Sequence, residues 1–441
     1  MDNAEENLKT YLSDNLLLEN LSETAARLGY DCWLVGGALR DVLLGRPVAD
    51  VDLVTTADPT PLAKSWAKQQ NAHWFWLDKE RCQSRVLLRY GKLEFYFDFA
   101  PLRAETLVQD LSLRDFTINA LALPLISPLT TQNLYDPLDG QRDLESALIR
   151  SCSEQSLADD PLRILKGIRH CVTLGFQLAQ ETEVQMRETS ERLATTAGER
   201  KRNELGRILS SGNLAQGLEL LDRCQLMHEL FGPSVVPLSR DALATNLVRL
   251  EKILSQWMER DTLSVILSEA VDEFIDRRAL YLLAFLFRNR STQNLTVLLR
   301  EKLRLSCRAV TIVETLVSFD FRKFKELDTL PDRPRVKCLW LENLGPAAVD
   351  QLLFCAAVTQ SVRLNISIVQ QLLEDFTRTL THDRVPDLLS GREIMKLFPE
   401  ISGRQIGQYQ KQIKEAEITG EIINQKDARK LLSAEFSFDK N

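Results

Sequence analysis

The stretch that decides the fold reads Cys32-Trp33-Leu34-Val35-Gly36-Gly37-Ala38-Leu39-Arg40-Asp41, followed after a short gap by Ala49-Asp50-Val51-Asp52-Leu53-Val54. Four apolar residues ending at a glycine pair have the pattern of a buried strand that runs into a tight turn. Residues 38–44 then read as a short helix closed by Gly45. Residues 51–54 read as a second strand, and residues two apart on a strand point to one face, so Asp50 and Asp52 share a side. A strand, a Gly-Gly turn and a helix bring backbone N–H groups close to an anion, because glycine has no Cβ in the way. Arg40, one turn into the helix, adds a charge-assisted contact. Two aspartates on one face suit a hard divalent cation, which takes oxygen ligands. Phosphoryl transfer uses such ions to activate the attacking oxygen and stabilise the leaving one. Each piece alone is equally an ordinary turn or an exposed strand face. Their conjunction points to chemistry on phosphates.

Outward from this stretch, residues 1 to about 30 carry Leu8, Leu12, Leu16, Leu17 and Leu21 near the helical period and predict one helix. Strands are predicted at 73–77, 84–89 and 93–100, the last two joined at Tyr90-Gly91. A helix is predicted over 115–124, then a proline-rich connection and a turn at Asp139-Gly140. Beyond about residue 155 strand signals nearly vanish, and Leu, Ile and Arg recur at helical spacing. The expected fold is α+β. A small α/β head (1–150) precedes an elongated, all-helical neck (151–245), body (246–385) and tail (386–441).

Composition bounds the function. With 441 residues the chain has room for about three domains. It is 44% hydrophobic and has no uncharged apolar run of membrane-spanning length. The opening MDNAEENLKT lacks the basic start and apolar stretch of a secretory signal, so a cytoplasmic location is expected. The eight cysteines form no C-x-x-C pair, and the four histidines are scattered, which argues against a zinc site or a histidine triad. The net charge of -7 argues weakly against nucleic acid. Affinity for phosphates depends on local patches, however, and an acidic remainder can surround them.

Four more segments carry chemistry. They are Leu113-Arg114-Asp115-Phe116-Thr117-Ile118-Asn119-Ala120-Leu121; Tyr135-Asp136-Pro137-Leu138-Asp139-Gly140 with Asp143-Leu144; Asp159-Asp160-Pro161-Leu162-Arg163-Ile164-Leu165-Lys166-Gly167-Ile168-Arg169; and Glu199-Arg200-Lys201-Arg202-Asn203-Glu204-Leu205. Asp160 and Arg163 are three apart and would share a face of a helix. An aspartate accepts and a guanidinium donates in a fixed fork. Together they match the polar edge of cytosine or adenine, while uracil and guanine present carbonyls where the aspartate needs a donor. The plainer alternative is an ion pair within the helix. Arg163, Lys166 and Arg169 also repeat every three residues, as a triphosphate-facing stripe or as a solvated face.

These five ordered motifs, spanning residues 33 to about 210, resemble the class II tRNA nucleotidyltransferases and related bacterial poly(A) polymerases of the polymerase-β superfamily. Residues 388–432 are similar to the tail of these enzymes; 245–385 carry no specific likeness. The resemblance implies Mg²⁺ held by Asp50 and Asp52, the catalytic pair. It implies nucleotide contacts from Gly36, Gly37, Arg40, Asp41, Arg114, Asp115, Asn119, Asp160, Arg163, Lys166 and Arg169, with Asp160 and Arg163 choosing the base. The segment at 135–144 resembles the family's hinge, and 199–205 the motif that braces the neck. The implied partners are the tRNA 3′ acceptor end and CTP, with ATP as a further substrate; no membrane and no other protein is implied. Lys411, Lys414, Arg429 and Lys430 are the basic tail candidates for tRNA.

The chain departs from the family pattern at Leu113, where an arginine is usual, at Asp159 for glutamate, and at Lys166 for arginine. The larger departure lies between Asp98 and Asp115, where only residues 99 to 114 intervene. Full CCA-adding relatives carry a longer flexible lever there, and enzymes that add only CC lack it. CC addition is therefore expected. Full CCA addition, A addition, poly(A) synthesis and a catalytically inactive RNA-binding relative are the rivals. Asp98 is the candidate for a third carboxylate at the metal site.

Overall fold

A computed structural model describes residues 2–91, 93–232, 242–288, 295–328, 330–359, 366–379, 385, 387–401 and 403–438. The chain forms two compact units, Met1–Pro233 and Ser234–Asn441.

The first unit opens with α1 (Asp2–Asp14) and α2 (Leu16–Leu28) in place of one long helix. Asn15 makes the break. Its side chain accepts the Leu18 N–H and caps α2. Then follow β1 (Cys32–Val35), α3 (Gly37–Leu43), β2 (Asp50–Thr55), α4 (Thr60–Gln69), β3 (His73–Asp78), β4 (Gln83–Tyr90), β5 (Leu93–Pro101), α5 (Leu107–Ser112) and β6 (Ala122–Pro124). The six strands make one sheet in the order β3-β4-β5-β2-β1-β6. The β2–β5 pair is parallel and the others are antiparallel.

Helix α4 has no counterpart among the predicted elements, and it decides which sheet face is free. Its Leu62, Ala63, Trp66 and Ala67 are buried, and Trp66 meets Phe97 edge-on at 4.7 Å between ring centroids. Val51, Leu53, Val86, Leu88, Phe97 and Phe99 fill this side of the sheet. Alternation then sends Asp50, Asp52, Arg85, Tyr96 and Asp98 to the other side.

The helix predicted over 115–124 is absent. Phe116 is extended and bridged to Ser151, Thr117–Asn119 is one 3-10 turn, and β6 pairs with β1. The cause is burial on every side from Phe116 to Leu123. A helix at a surface needs a polar face, and a short, wholly buried run cannot be assigned by periodicity alone.

Beyond this come α6 (Gly140–Glu145), β7 (Leu148–Ile149), α7 (Ser156–Asp159), α8 (Leu162–Leu174), β8 (Gln177–Leu178), α9 (Gln180–Glu188) and α10 (Gly198–Leu209). The small β7–β8 ribbon interrupts a stretch expected to be helical. Gly140 must be glycine, because a Cβ there would lie 2.3 Å from the Thr117 carbonyl oxygen.

Among its described residues the second unit is helical apart from a ribbon of Ala270–Asp272 with Ile275–Asp276. The Arg277–Phe287 helix is buried along its length. The final helices, Gly391–Leu397, Gly403–Thr419 and Gln425–Phe438, enclose a core of Leu389, Ile394, Ile413 and Leu432. No helix among the described residues is long and apolar enough to cross a membrane.

Candidate active site

Strand register builds the first wall. Asp52 on β2 sits opposite Asp98 on β5; Asp98 sits opposite Arg85 on β4, and Arg85 opposite Phe75 on β3. Asp50 lies opposite Tyr96. Both aspartates share the open face, as the sequence predicts. Asp98 shares it too, but its two oxygens take the Arg85 guanidinium at 2.6 and 2.8 Å. Gly36 has φ +79°, and a Cβ on it would lie 2.9 Å from Asp52 Oδ2 and 3.2 Å from Arg114 Nη1. Glycine thus leaves open the space between the carboxylate and the guanidinium. Desolvation pushes the Asp52 carboxyl above its ordinary value, and the negative charges of Asp98 and Asp50 add to the rise, against Arg114 and Arg85. Among the described residues, no group of three or more His, Cys, Asp or Glu is gathered as a metal cluster.

A cavity of about 400 Å³ lies over this wall. Asp52 and Asp98 line it on one side, and Arg103, Arg114, Asp115, Asp160, Arg163 and Lys166 on the other, with Leu77 and Gln83 at the β3–β4 rim. The structure therefore gathers residues far apart in sequence into one cleft. Gly36, Gly37, Arg40, Asp41, Asp50, Asn119 and Arg169 are not part of its lining.

The second wall differs from its predicted form. Asp160 precedes α8, so the pair does not share a helix face. Asp160 Oδ1 accepts the Leu162 N–H at 3.3 Å, and Oδ2 takes Arg200 Nη2 at 2.9 Å. Arg163 does not pair with it. Its Nη1 donates to Ser156 Oγ at 2.8 Å, Ser156 O at 3.1 Å and Arg114 O at 3.2 Å, and its Nη2 to Leu113 O at 2.8 Å. The three-residue stripe is also broken. Lys166 reaches the cleft, but Arg169 is bound to Glu204 Oε2 at 2.7 Å.

Behind the cleft a chain of bonds holds Asp115. Arg40 donates to Asp41 at 2.7 Å and to Asn119 Oδ1 at 2.7 Å, and Asn119 Nδ2 donates to Asp115 Oδ1 at 3.0 Å. Burial alone would raise the Asp115 carboxyl. The Asn119 amide, Lys166 and the Phe116 N–H each act against that rise. His170, beneath it, is neutral: burial and the charges of Arg169 and Arg40 push its pKa well down.

The amino-acid sequence of residues 32–150 matches the poly A polymerase head domain, and residues 175–237 match the family described as a probable RNA- and SrmB-binding site of polymerase A. A CC-adding tRNA nucleotidyltransferase of Geobacter sulfurreducens is 31% identical over 421 residues, 94% of each chain. This chain belongs to the tRNA nucleotidyltransferase family. An A-adding tRNA nucleotidyltransferase of Deinococcus radiodurans is 39% identical over 199 residues, 44% of this chain and 43% of that one. The Thermotoga maritima CCA-adding enzyme, solved with tRNA, shares the fold at TM-score 0.70 and 22% identity, over 95% of both chains. The chain is thus a nucleotidyltransferase, and enzymes of this class generally use divalent metal ions.

Sequence reasoning passed over three residues of this nucleotidyltransferase. Asp110, fully buried, takes Arg103 at 3.1 Å and Arg114 at 3.2 Å; its signal was the four-residue spacing to Arg114. Arg85 pairs with Asp98 across strands and left no sequence signal. Ser156 holds Arg163 and also donates to the Arg114 and Asp115 carbonyls; nothing in sequence distinguishes it from a loop serine. In the tail, Lys414 is tied to Glu342 and Asp387, and Lys411 to Glu415.

Proposed function

We propose that this nucleotidyltransferase adds two cytidylates to the 3′ end of tRNA lacking its terminus, and then stops. The terminal hydroxyl oxygen attacks the α-phosphorus of CTP; the new P–O bond forms as the α–β bridge breaks and pyrophosphate leaves. Asp50 and Asp52 would hold Mg²⁺. The fit rests on Asp52, a carboxyl that desolvation raises, with Asp98 and Asp50 adding to the rise against Arg114 and Arg85, and that faces space Gly36 keeps clear. A divalent ion held there would supply the positive charge that activates the attacking hydroxyl and neutralises the departing oxygen.

Arg114 and Lys166, both in the cleft, face the triphosphate, and the Gly36–Gly37 turn lets backbone approach it. Asp115 reads the ribose. Arg40, Asp41 and Asn119 act through Asp115, whose position their hydrogen bonds fix. Arg169 acts through Glu204 in bracing α8 against α10. Asp160 and Arg163 read the base. The division into head, neck, body and tail belongs to this proposal, with the tail gripping the acceptor arm.

The observation that carries the restriction to CC is the state of the short connection. It holds α5, whose Thr106–Gln109 capping box is complete. Arg103 is fastened to Asp110, and Leu113 O to Arg163. No slack is left to reset the base-reading pair from cytosine to adenine. The likeness to a CC-adding relative over nearly the whole chain supports the same reading. The test offers the enzyme two tRNAs, one lacking CCA with CTP and one ending in CC with ATP. Two additions to the first and none to the second are expected. Efficient one-nucleotide extension of the second favours the full CCA-adding or A-adding reading, for which the Deinococcus relative speaks.

A further inference from the structure

The open sheet face continues past Asp98 to the edge strand β3, where Phe75 and Leu77 stand two apart, 41% and 47% exposed. Cross-strand register places Phe75 in the same row as Arg85, Asp98 and Asp52. Neighbouring strands lie about 4.8 Å apart, so Phe75 is roughly 14 Å from the Asp52 backbone, a reach of a few nucleotides. Leu77 and Gln83 form the rim of the cleft itself. The two tryptophans of β3, Trp74 and Trp76, lie on the opposite face, under Lys64.

We infer that this β3 rim is the stacking platform for the last bases of the single-stranded RNA end to be extended. The inference rests on the nucleotidyltransferase reading above. In-line displacement requires the entering hydroxyl and the leaving pyrophosphate on opposite sides of the α-phosphorus. The wall of Arg114, Arg163 and Lys166 is committed to the triphosphate and base of the incoming nucleotide. The growing end therefore comes over the β5–β4–β3 wall. That wall does not repel a phosphate backbone, since Asp98 is matched by Arg85 and Glu94 by Arg89. The Arg85 guanidinium lies 4.9 Å from the Tyr96 ring centroid, which makes it a flat cationic surface inside the apolar rim. Unstacked bases of single-stranded RNA find their partners on such aromatic and guanidinium planes.

The test uses the full chain and a tRNA transcript lacking CCA, with 2-aminopurine as its last base. The double variant Phe75→Ala with Leu77→Ala should raise the KM for tRNA on the order of tenfold, the usual effect of losing one stacked base. The KM for CTP and kcat should stay within about twofold, and Phe75→Trp should keep the wild-type KM. Binding of the wild type should quench the 2-aminopurine, and the double variant should lose that quench. Unchanged KM for tRNA with unchanged quench overturns the proposal. So does a KM increase confined to CTP, which assigns the rim to the nucleotide. So does a dimer by sedimentation that the variant dissociates with no change in KM, which makes the rim a contact between copies. A wild type that binds the tRNA without extending it defeats the functional reading instead, and the quench still decides the platform.

Discussion

The two walls of the cleft are held by different means. Asp50 and Asp52 owe their placement to strand register, and at Asp52 desolvation outweighs the nearby charges of Arg114 and Arg85. Asp160 and Arg163 owe theirs to hydrogen bonds, from Arg200 on one side and to three carbonyls and a serine on the other. A register shift would turn every strand side chain to the other face, so the carboxylates have one position or none. Hydrogen-bonded side chains have neighbours that a single substitution can change. On the proposed function, the rigid wall would carry the chemistry and the adjustable one the choice of base.

The sharpest way to break it is at the rigid wall. Asp52→Asn or Asp50→Ala should reduce transfer by about a thousandfold or more, since on the proposed function the ion they would hold acts on the transition state. Affinity for tRNA should stay within a few-fold; near-normal turnover with Mg²⁺ would refute the assignment. Stability should move the other way. A carboxyl raised in the folded state contributes stability at low pH that is lost as pH rises through its folded value. At pH 7 without metal, Asp52→Asn should therefore melt above the wild type. That advantage should vanish below about pH 3.9, the ordinary aspartate value. Mg²⁺ should raise the melting point of the wild type alone.

At the adjustable wall the effects are smaller and of another kind. Arg163→Ala or Asp160→Ala should lower the preference for CTP over UTP by roughly 10- to 100-fold, the worth of about 1–3 kcal/mol of unsatisfied polar pairing. Turnover with CTP should suffer less than that preference does. Ser156→Ala removes one of Arg163's acceptors and should cost about 1 kcal/mol of the same preference, roughly fivefold. Competition between CTP and UTP on one tRNA measures both. Equal selectivity in all three variants would move base choice off this wall.

How much of this was legible in sequence follows the same division. The aspartate pair, the Gly-Gly turn and five of the six strands were readable, because alternation and glycine punctuation are local signals. Helix α4 and strand β6 were not, since both are defined by what they pack against: Trp66 against Phe97, and Ala122 beside Val35. Asp160 and Arg163 do line the cleft, but not in the geometry the spacing suggested. Three-residue spacing suggested one helix face, but Pro161 follows Asp160 and leaves it outside the helix that holds Arg163. Arg40 and Asn119 lie behind the cleft and do not line it, and the bond between them joins chain segments 79 residues apart, which sequence does not show.

The smallest effect expected lies behind the adjustable wall, at His170. Its ring is buried against Phe116, edge-on at 5.8 Å between centroids, and Arg169 Nη2 lies 3.2 Å from Nε2. Arginine only donates, so Nε2 accepts, and a ring that accepts is not protonated. That geometry agrees with the downward displacement of its pKa by burial and by Arg169 and Arg40. In the unfolded chain a histidine titrates near 6.5. As pH falls below that value the unfolded state takes up a proton that the folded state refuses, so stability declines toward acid. The decline is at most about 1.4 kcal/mol per pH unit, and it ends once the folded ring also titrates. Urea unfolding at pH 7.5 and 5.5 measures it. His170→Phe should flatten the dependence by that one proton and leave the CTP preference within about twofold, because the ring supports Asp115 from beneath and reads no base. An undiminished acid slope in the variant would mean that another group carries it.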